Sequence, residues 1–422
     1  MPFQFQSLVR IKSSALEGEL TLSGAKNSAL RLLAASLLTA DKVILRNYPL
    51  DLLDIQIHEE MLRKIGKEIE PFGEDGVEIA EVGQLSSTLN WSGRSIRNTL
   101  LILGALVART GRGSVPLPGG CSLGERKYDL HIQVLEALGA TVWEDEGNLV
   151  AEASKGLRGA EIQLPLRSTG ATENALIASS LATGTTRIWN PHLRPEIEDL
   201  ISLLRKMGAA ITVRGQESIE VSGSQVLSGA SHDVIPDGLE GLTWAIGAAI
   251  SGGNVEIKGF PVHDVRVALT HLEHSGLKIF YGDDSVVVAG SECFPLEVST
   301  GPHPGINSDV QPLLAVWAAH SRGTSKIVDL RFPGRYEYAK ELGRMGLDYT
   351  IDGQILSIDG HGGSLRGAPV RALDLRAGAA EMLAAFTASG VTEIHDAWQI
   401  KRGYSKLEQK MDALGVNFEW SE

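Results

Sequence analysis

Apolar residues recur along the chain with helical spacing, and six of these stretches close on one phrase: an apolar residue, a few mixed residues, then glycine. The copies are Leu62 to Gly66, Leu135 to Gly139, Leu204 to Gly208, Leu272 to Gly276, Leu342 to Gly346 and Met411 to Gly415. Successive glycines stand 73, 69, 68, 70 and 69 residues apart. A fixed period of this kind marks a repeated supersecondary unit. A second phrase precedes several copies: a small-residue helix, a turn, then a β-branched strand. It spans Ala178 to Trp189, Ala248 to Ile257 and Ala384 to Ile394. Each unit therefore reads as helix, strand, helix, strand, with a further strand in several, and the fold class is α/β.

The third unit shows the local chemistry. Pro195 suits the first helical position, and Glu196, Glu198 and Asp199 follow where negative charge meets the positive end of the helix dipole. Ile197, Leu200, Ile201 and Leu204 keep one face apolar. Arg205 and Lys206 fall in the last turn, and Gly208 supplies the left-handed residue that ends it. Six such units could stack as a solenoid or gather into two globular halves of three. Solenoid repeats are typically shorter, about 20 to 45 residues, which favours two halves with a ligand cleft between them.

Composition narrows the function. The chain has 422 residues, 43% hydrophobic and 22% charged, enough for two ordinary domains. Its net charge of -13 argues against non-specific binding of nucleic acid or an anionic membrane, although local Arg and Lys clusters can still hold phosphates. Two cysteines, Cys121 and Cys293, suggest a reducing, cytoplasmic setting. No signal peptide or bilayer-length apolar run is evident. Metal-ligand spacings, a GxxxxGK[ST] phosphate loop, a GxGxxG turn and a GxSxG elbow are also missing.

Three segments could carry chemistry. Ser23 to Ser28 lies between a strand at Glu19 to Leu22 and an apolar helix, placing Lys26 at a helix start, a suitable anion site. Gly111 to Lys127, with three glycines around Cys121, reads as one long loop. Arg112, Arg126 and Lys127 surround that thiol with positive charge, which favours a reactive thiolate. Cys293, in a strand-like apolar setting, reads as structural. Arg97 repeats the cation-at-helix-start arrangement. Asp309, at a loop-to-helix junction, has an N-cap as its plainest role. Asp374 and Arg376, then Lys401 and Arg402, put further charges at turns of the last unit.

Five ordered motifs then become recognisable: Gly24-Ala25-Lys26-Asn27, Leu117-Pro118-Gly119-Gly120-Cys121, Gly170-Ala171-Thr172-Glu173-Asn174, Asp374-Leu375-Arg376-Ala377 and Arg402-Gly403-Tyr404. Together they resemble the UDP-N-acetylglucosamine 1-carboxyvinyltransferase family, a branch of the enolpyruvyl transferases that also includes EPSP synthase. The resemblance covers nearly the whole chain. It implies a two-domain inside-out α/β barrel of six βαβαββ-type repeats, with residues 24–235 forming a three-repeat domain that carries the Cys121 loop. Residues 1–23 and 236–422 would form the second domain.

The resemblance also implies the chemistry. An acceptor hydroxyl attacks C2 of phosphoenolpyruvate, C3 is protonated, and the tetrahedral adduct expels phosphate. Cys121 matches the family's general acid and its site of fosfomycin alkylation. Lys26, Asn27, Arg126 and Arg402 match contacts to phosphoenolpyruvate. Asp309 matches the carboxylate near the attacking hydroxyl, and Asp374 a residue near the proton-transfer path. Contacts to the acceptor nucleotide fall on Arg97, Arg126, Lys127, Tyr128, Asp129, Leu130, Arg167, Ser168, Thr169, Asp309, Arg331 and Arg335. No cofactor or metal is implied. The partners would be phosphoenolpyruvate and a uridine nucleotide or nucleotide sugar, in peptidoglycan-precursor synthesis. Departures gather on the acceptor side. Gly238 follows Pro236-Asp237 where Arg is usual, Leu166 stands in place of a Lys, Arg194 in place of an acid, Leu101 where an aromatic can be, and Lys401 in place of an Asp. Two alternatives therefore accompany the main reading: the same reaction on another nucleotide such as UMP, as in nucleoside-antibiotic pathways, and a non-catalytic binding paralogue.

Overall fold

The structure, a computed structural model, describes residues 7–94, 96–118 and 128–421. The chain divides into two compact units. One, here the inserted unit, is Gly24–Ile235; the other, the discontinuous unit, is Met1–Ser23 with Pro236–Glu422. The inserted unit holds α1 (Lys26–Ala35), α2 (Leu53–Lys64), α3 (Thr99–Thr110), α4 (Asp129–Ala137), α5 (Thr169–Ser179) and α6 (Pro195–Lys206). The discontinuous unit holds α7 (Gly238–Ser251), α8 (Arg266–His274), α9 (Gln311–His320), α10 (Glu337–Arg344), α11 (Leu375–Ala385), α12 (Trp398–Lys401) and α13 (Leu407–Ala413).

The six glycines of the sequence period all take positive φ, from 70° at Gly415 to 108° at Gly66 and Gly276. A residue with Cβ is strained there, which is why the phrase ends on glycine each time. In the third repeat, Glu161–Gln163 runs parallel to Thr185–Trp189, which pairs antiparallel with Ser218–Ser222, itself antiparallel to Ala210–Arg214. One parallel contact followed by two antiparallel ones recurs in five four-stranded sheets. In the remaining, three-stranded sheet the parallel strand shrinks to a bridge between Thr88 and Ser114.

Helices lie inside and sheets outside. In the inserted unit, α1, α3 and α5 are almost wholly buried and pack on one another; α7, α9 and α11 do the same in the discontinuous unit. The remaining long helices are amphipathic. The apolar residues of the strands alternate: Ser218–Ser222 buries Ile219 and Val221, besides Ser218 at its start, while Ala210–Arg214 buries Ile211 alone. Close approach of the inner helices needs small residues. A Cβ on Gly104 of α3 would stand 1.8 Å from Asn174 Oδ1 on α5.

This is the inside-out α/β arrangement expected, with the sheets hydrogen-bonded only internally and no closed barrel among the described residues. The structure corrects two expectations. The stretch from Gly111 is not loop throughout, because Arg112–Pro116 is a strand. Gly113 fits there because its missing side chain leaves room for Leu103 and Leu106 of α3, and Pro116 stands at the strand's end. Cys293 lies not in a strand but in the connection between Ser285–Ala289 and Glu297–Ser299. It is buried, and that burial pushes its thiol up to about 12, as befits a structural cysteine.

Candidate functional site

In the inserted unit, the chain enters α1 through Gly24, whose Cβ would meet the Asn47 carbonyl at 1.8 Å. Ala25, the N-cap, supplies no side-chain acceptor to the first amides of α1. Lys26 is the first helical residue and is buried. Its Nζ lies 3.2 Å from Asp54 Oδ2, near the start of α2. Beside it, the Asn27 carbonyl accepts from Arg31, which also pairs with Glu173 of α5. A cation thus sits at an uncapped positive helix end, an arrangement suited to a phosphate or carboxylate.

The predicted acceptor-side residues divide by element. Arg97 precedes α3 by two residues, and its charge joins burial in driving His131 of α4 down to about 3. His131 meets α5 twice: its Nδ1 lies 3.2 Å from Asn174 Nδ2, and its Nε2 leaves no room for a Cβ on Gly170. Ser168 caps α5 by accepting from the Ala171 amide, and Thr169 Oγ1 lies 2.8 Å from His192 Nδ1. Arg167 is half-buried before this cap. Tyr128 opens α4 and donates its hydroxyl to Glu144; Asp129 is exposed and Leu130 packs against the core. Arg97, His131 and the start of α5 therefore converge. Cys121, Arg126 and Lys127 lie outside the described residues.

In the discontinuous unit, Asp309 does not cap α9, whose N-cap is Val310. Instead its Oδ1 lies 2.7 Å from Arg335 Nη1 and its Oδ2 3.4 Å from Arg376 Nε. Arg335 Nη2 in turn stands 3.8 Å from Asp374 Oδ2. Asp374 also caps α11, accepting from the amides of Arg376 and Ala377. Burial opposes the Arg335 charge, but Asp309 and Asp374 together outweigh it and raise its pKa. Arg376, nearly fully buried, reaches Tyr404 Oη at 3.3 Å, and Tyr404 meets Thr243 of α7 at 2.9 Å. Asp309, Asp374 and Arg335 thus form one charge cluster. Arg331 is exposed; it and Arg335 flank the Phe332 ring. Arg402 ends α12, bonded to Gln399 Oε1 at 2.8 Å and set over Trp398.

Two members of these clusters escaped the sequence reading. Arg376 looked like one more turn charge, yet it is a lone cation in the small, apolar run of α11, and that isolation was the available signal. Asp54 carries no signal beyond its place in the first turn of α2.

A family model described as EPSP synthase (3-phosphoshikimate 1-carboxyvinyltransferase) matches residues 11–411. A UDP-N-acetylglucosamine 1-carboxyvinyltransferase from Gluconacetobacter diazotrophicus is 38% identical over 408 residues, covering 96% of both chains. The chain belongs to the carboxyvinyltransferase family. A relative from Caldanaerobacter subterraneus, UDP-N-acetylglucosamine 1-carboxyvinyltransferase 1, is 38% identical over 411 residues, 96% of this chain and 97% of that one. Among solved structures, the enolpyruvyl transferase NikO from Streptomyces tendae shares the fold with a TM-score of 0.88, at 24% identity and 99% coverage of each chain. An EPSP synthase from Acinetobacter baumannii gives 0.79 at 20% identity, over 99% of this chain and all of that one.

Within this carboxyvinyltransferase the departures have definite surroundings. Arg194, the N-cap of α6, grips Glu196 through Nε at 2.6 Å and Nη2 at 2.7 Å. Leu166 is exposed, and Leu101 is buried in α3. Gly238 starts α7 directly after the Asp237 cap. Lys401 pairs with Glu408 and lies over the Trp420 ring.

Proposed function

We propose that this chain transfers the enolpyruvyl group of phosphoenolpyruvate to the 3-hydroxyl of UDP-N-acetylglucosamine, releasing phosphate, in the cytoplasm and on the route to peptidoglycan. The observation that carries this reading is the 38% identity to carboxyvinyltransferases over 96% of the chain. The charges that the reaction requires fit the side chains available. Phosphoenolpyruvate is highly anionic, and Lys26 at the positive end of α1 supports the binding of one of its anionic groups; Asn27, Arg126 and Arg402 would add to this. Asp309 would take the proton of the attacking hydroxyl, and Cys121 would deliver one to C3 as the C2–O bond forms. Phosphate then leaves C2 as a proton is lost from C3, which restores the vinyl group; Asp374 is assigned to that proton path. A preset charge cluster such as Asp309, Arg335 and Asp374 needs little reorganisation during reaction.

For the acceptor, the residues assigned are Arg97, Arg126 to Leu130, Arg167 to Thr169, Asp309, Arg331 and Arg335. A second reading keeps the reaction but replaces the acceptor with a nucleotide such as UMP. The Arg194–Glu196 pair favours it, because it puts a cation at a position where the family commonly carries an acid.

Phosphate release from phosphoenolpyruvate, measured across a panel of uridine nucleotides and nucleotide sugars, tests both. Turnover with UDP-N-acetylglucosamine supports the first reading, and turnover confined to UMP or another nucleotide supports the second. No release with any acceptor leaves a binding protein. Cys121→Ser is expected to slow turnover by about 100-fold or more and to abolish labelling by an epoxide inhibitor. Undiminished labelling of that variant removes Cys121 from the role.

A further inference from the structure

The first turn of α1 has no cap of its own, yet it is held from beneath. Ser28, the third helical residue, is fully buried and donates its hydroxyl to Asp199 Oδ2 on α6. Asp199 Oδ1 lies 2.6 Å from His232 Nε2, and the Ile235 amide points at Oδ2 from 3.5 Å. His232 sits on Ser231–Asp233, the strand that pairs parallel with Val43–Arg46. Ile235 then binds the Ala25 amide through its carbonyl at 2.7 Å. Ser28, Asp199 and His232 are all under a tenth exposed. One carboxylate therefore ties together the start of α1, the middle of α6 and the strand that leads out of the inserted unit.

A buried carboxylate is an expensive way to fill space. Its desolvation costs several kcal/mol per ion, and well-packed apolar residues often serve stability as well or better. What a carboxylate supplies, and an apolar side chain cannot, is fixed direction toward several donors at once. One of those donors, Ser28, lies one residue from Asn27 and two from Lys26, on the same helical turn.

We infer that Asp199 is a positioning residue for phosphoenolpyruvate: through Ser28 and the Ile235–Ala25 contact it sets the first turn of α1, and with it the Lys26 ammonium, where the substrate's anionic group binds. The inference rests on the reading that Lys26 and Asn27 contact phosphoenolpyruvate. Misplacement of a binding group by about 1 Å can cost about 100-fold in rate, so a network that touches no substrate can still govern its affinity.

The test uses the full chain, first the wild type with its best acceptor, then Asp199→Asn and Ser28→Ala. The KM for phosphoenolpyruvate is expected to rise about tenfold in Asp199→Asn and about threefold in Ser28→Ala, while the acceptor KM stays within about twofold. Hydrogen exchange supplies a readout independent of turnover. Amides of Asn27 to Leu30 should exchange about tenfold faster in Asp199→Asn, with those of α3 unchanged. Unchanged phosphoenolpyruvate KM in both variants, or an equal rise for both substrates, overturns the inference. Should Asp199→Asn fail to fold, Ser28→Ala decides by the same two measurements. If the wild type releases no phosphate with any acceptor, the enzymatic reading falls, and unaltered protection of α1 then overturns the structural claim separately.

Discussion

Asp309 illustrates how a residue's neighbours decide its work. At a helix start an aspartate is ordinarily a cap, but here Asp374 performs that service for α11 while Asp309 faces two guanidinium groups. Capping needs only an acceptor; a carboxylate aligned by Arg335 and Arg376 has a fixed direction, which the proposed role toward the attacking hydroxyl requires. Asp309→Asn keeps the shape and removes the charge, so turnover should fall by about 100-fold or more, the usual contribution of a general base. Steady-state phosphate release, with circular dichroism to check the fold, measures this. Turnover within about threefold of wild type would end the assignment. Arg376 would stay nearly buried in that variant while losing a counter-charge, so some loss of thermal stability should accompany the kinetic effect.

Among the elements, the inner helices depend on small residues where they touch. Gly104→Ala would drive a methyl group into the Asn174 amide, which already meets His131, and should destabilise by about 1 to 3 kcal/mol. Removing the Asp237 side chain, which takes the Leu239 and Glu240 amides at the start of α7, should cost about 0.5 to 2 kcal/mol. Urea unfolding of both variants checks these values; no loss in Gly104→Ala would mean that Asn174 has room to turn aside. The repeat itself was legible because its signals are local: glycine where φ must be positive, Pro195 at a first turn, apolar residues at helical spacing. Lys26 at a helix start was legible for the same reason. Ion partners distant in sequence were not. Nothing around Asp199 announces Ser28, 171 residues away, and nothing around Asp309 announces Arg376, 67 residues away. The Arg112–Pro116 strand was hidden by its glycine, which the neighbouring helix requires and which a sequence window counts as a loop signal.

Across the whole molecule, the two units should respond oppositely to acid. In the inserted unit, burial lowers His58 and His131 to about 3. Below pH 6.5 the unfolded chain takes up protons that these folded imidazoles refuse, so each costs about 1.4 kcal/mol of stability per pH unit down to about pH 3. Glu196, whose pKa is lowered because Arg194 and Arg31 together outweigh its burial, adds to the loss at lower pH, and Glu59, raised by burial, partly offsets it. In the discontinuous unit, burial raises Glu381 and Glu240, Glu381 with help from Glu341 and Asp374. Their folded forms hold protons that the unfolded chain releases, so they gain stability as pH falls toward 4.5, against the opposing effect of His320. Hydrogen exchange between pH 6.5 and 4.5 should therefore show protection lost first in 24–235; loss beginning in 236–421 would refute this. The lone Thr88–Ser114 bridge bears on the same molecule differently. In the other five sheets the parallel strand pair is a ladder of three or more rungs that must unzip together, whereas here one rung joins Thr88 to the strand that hands the chain on to Cys121. Such a joint can come undone and remake itself at small expense, so among the described residues this is the sheet whose parallel edge gives way most cheaply.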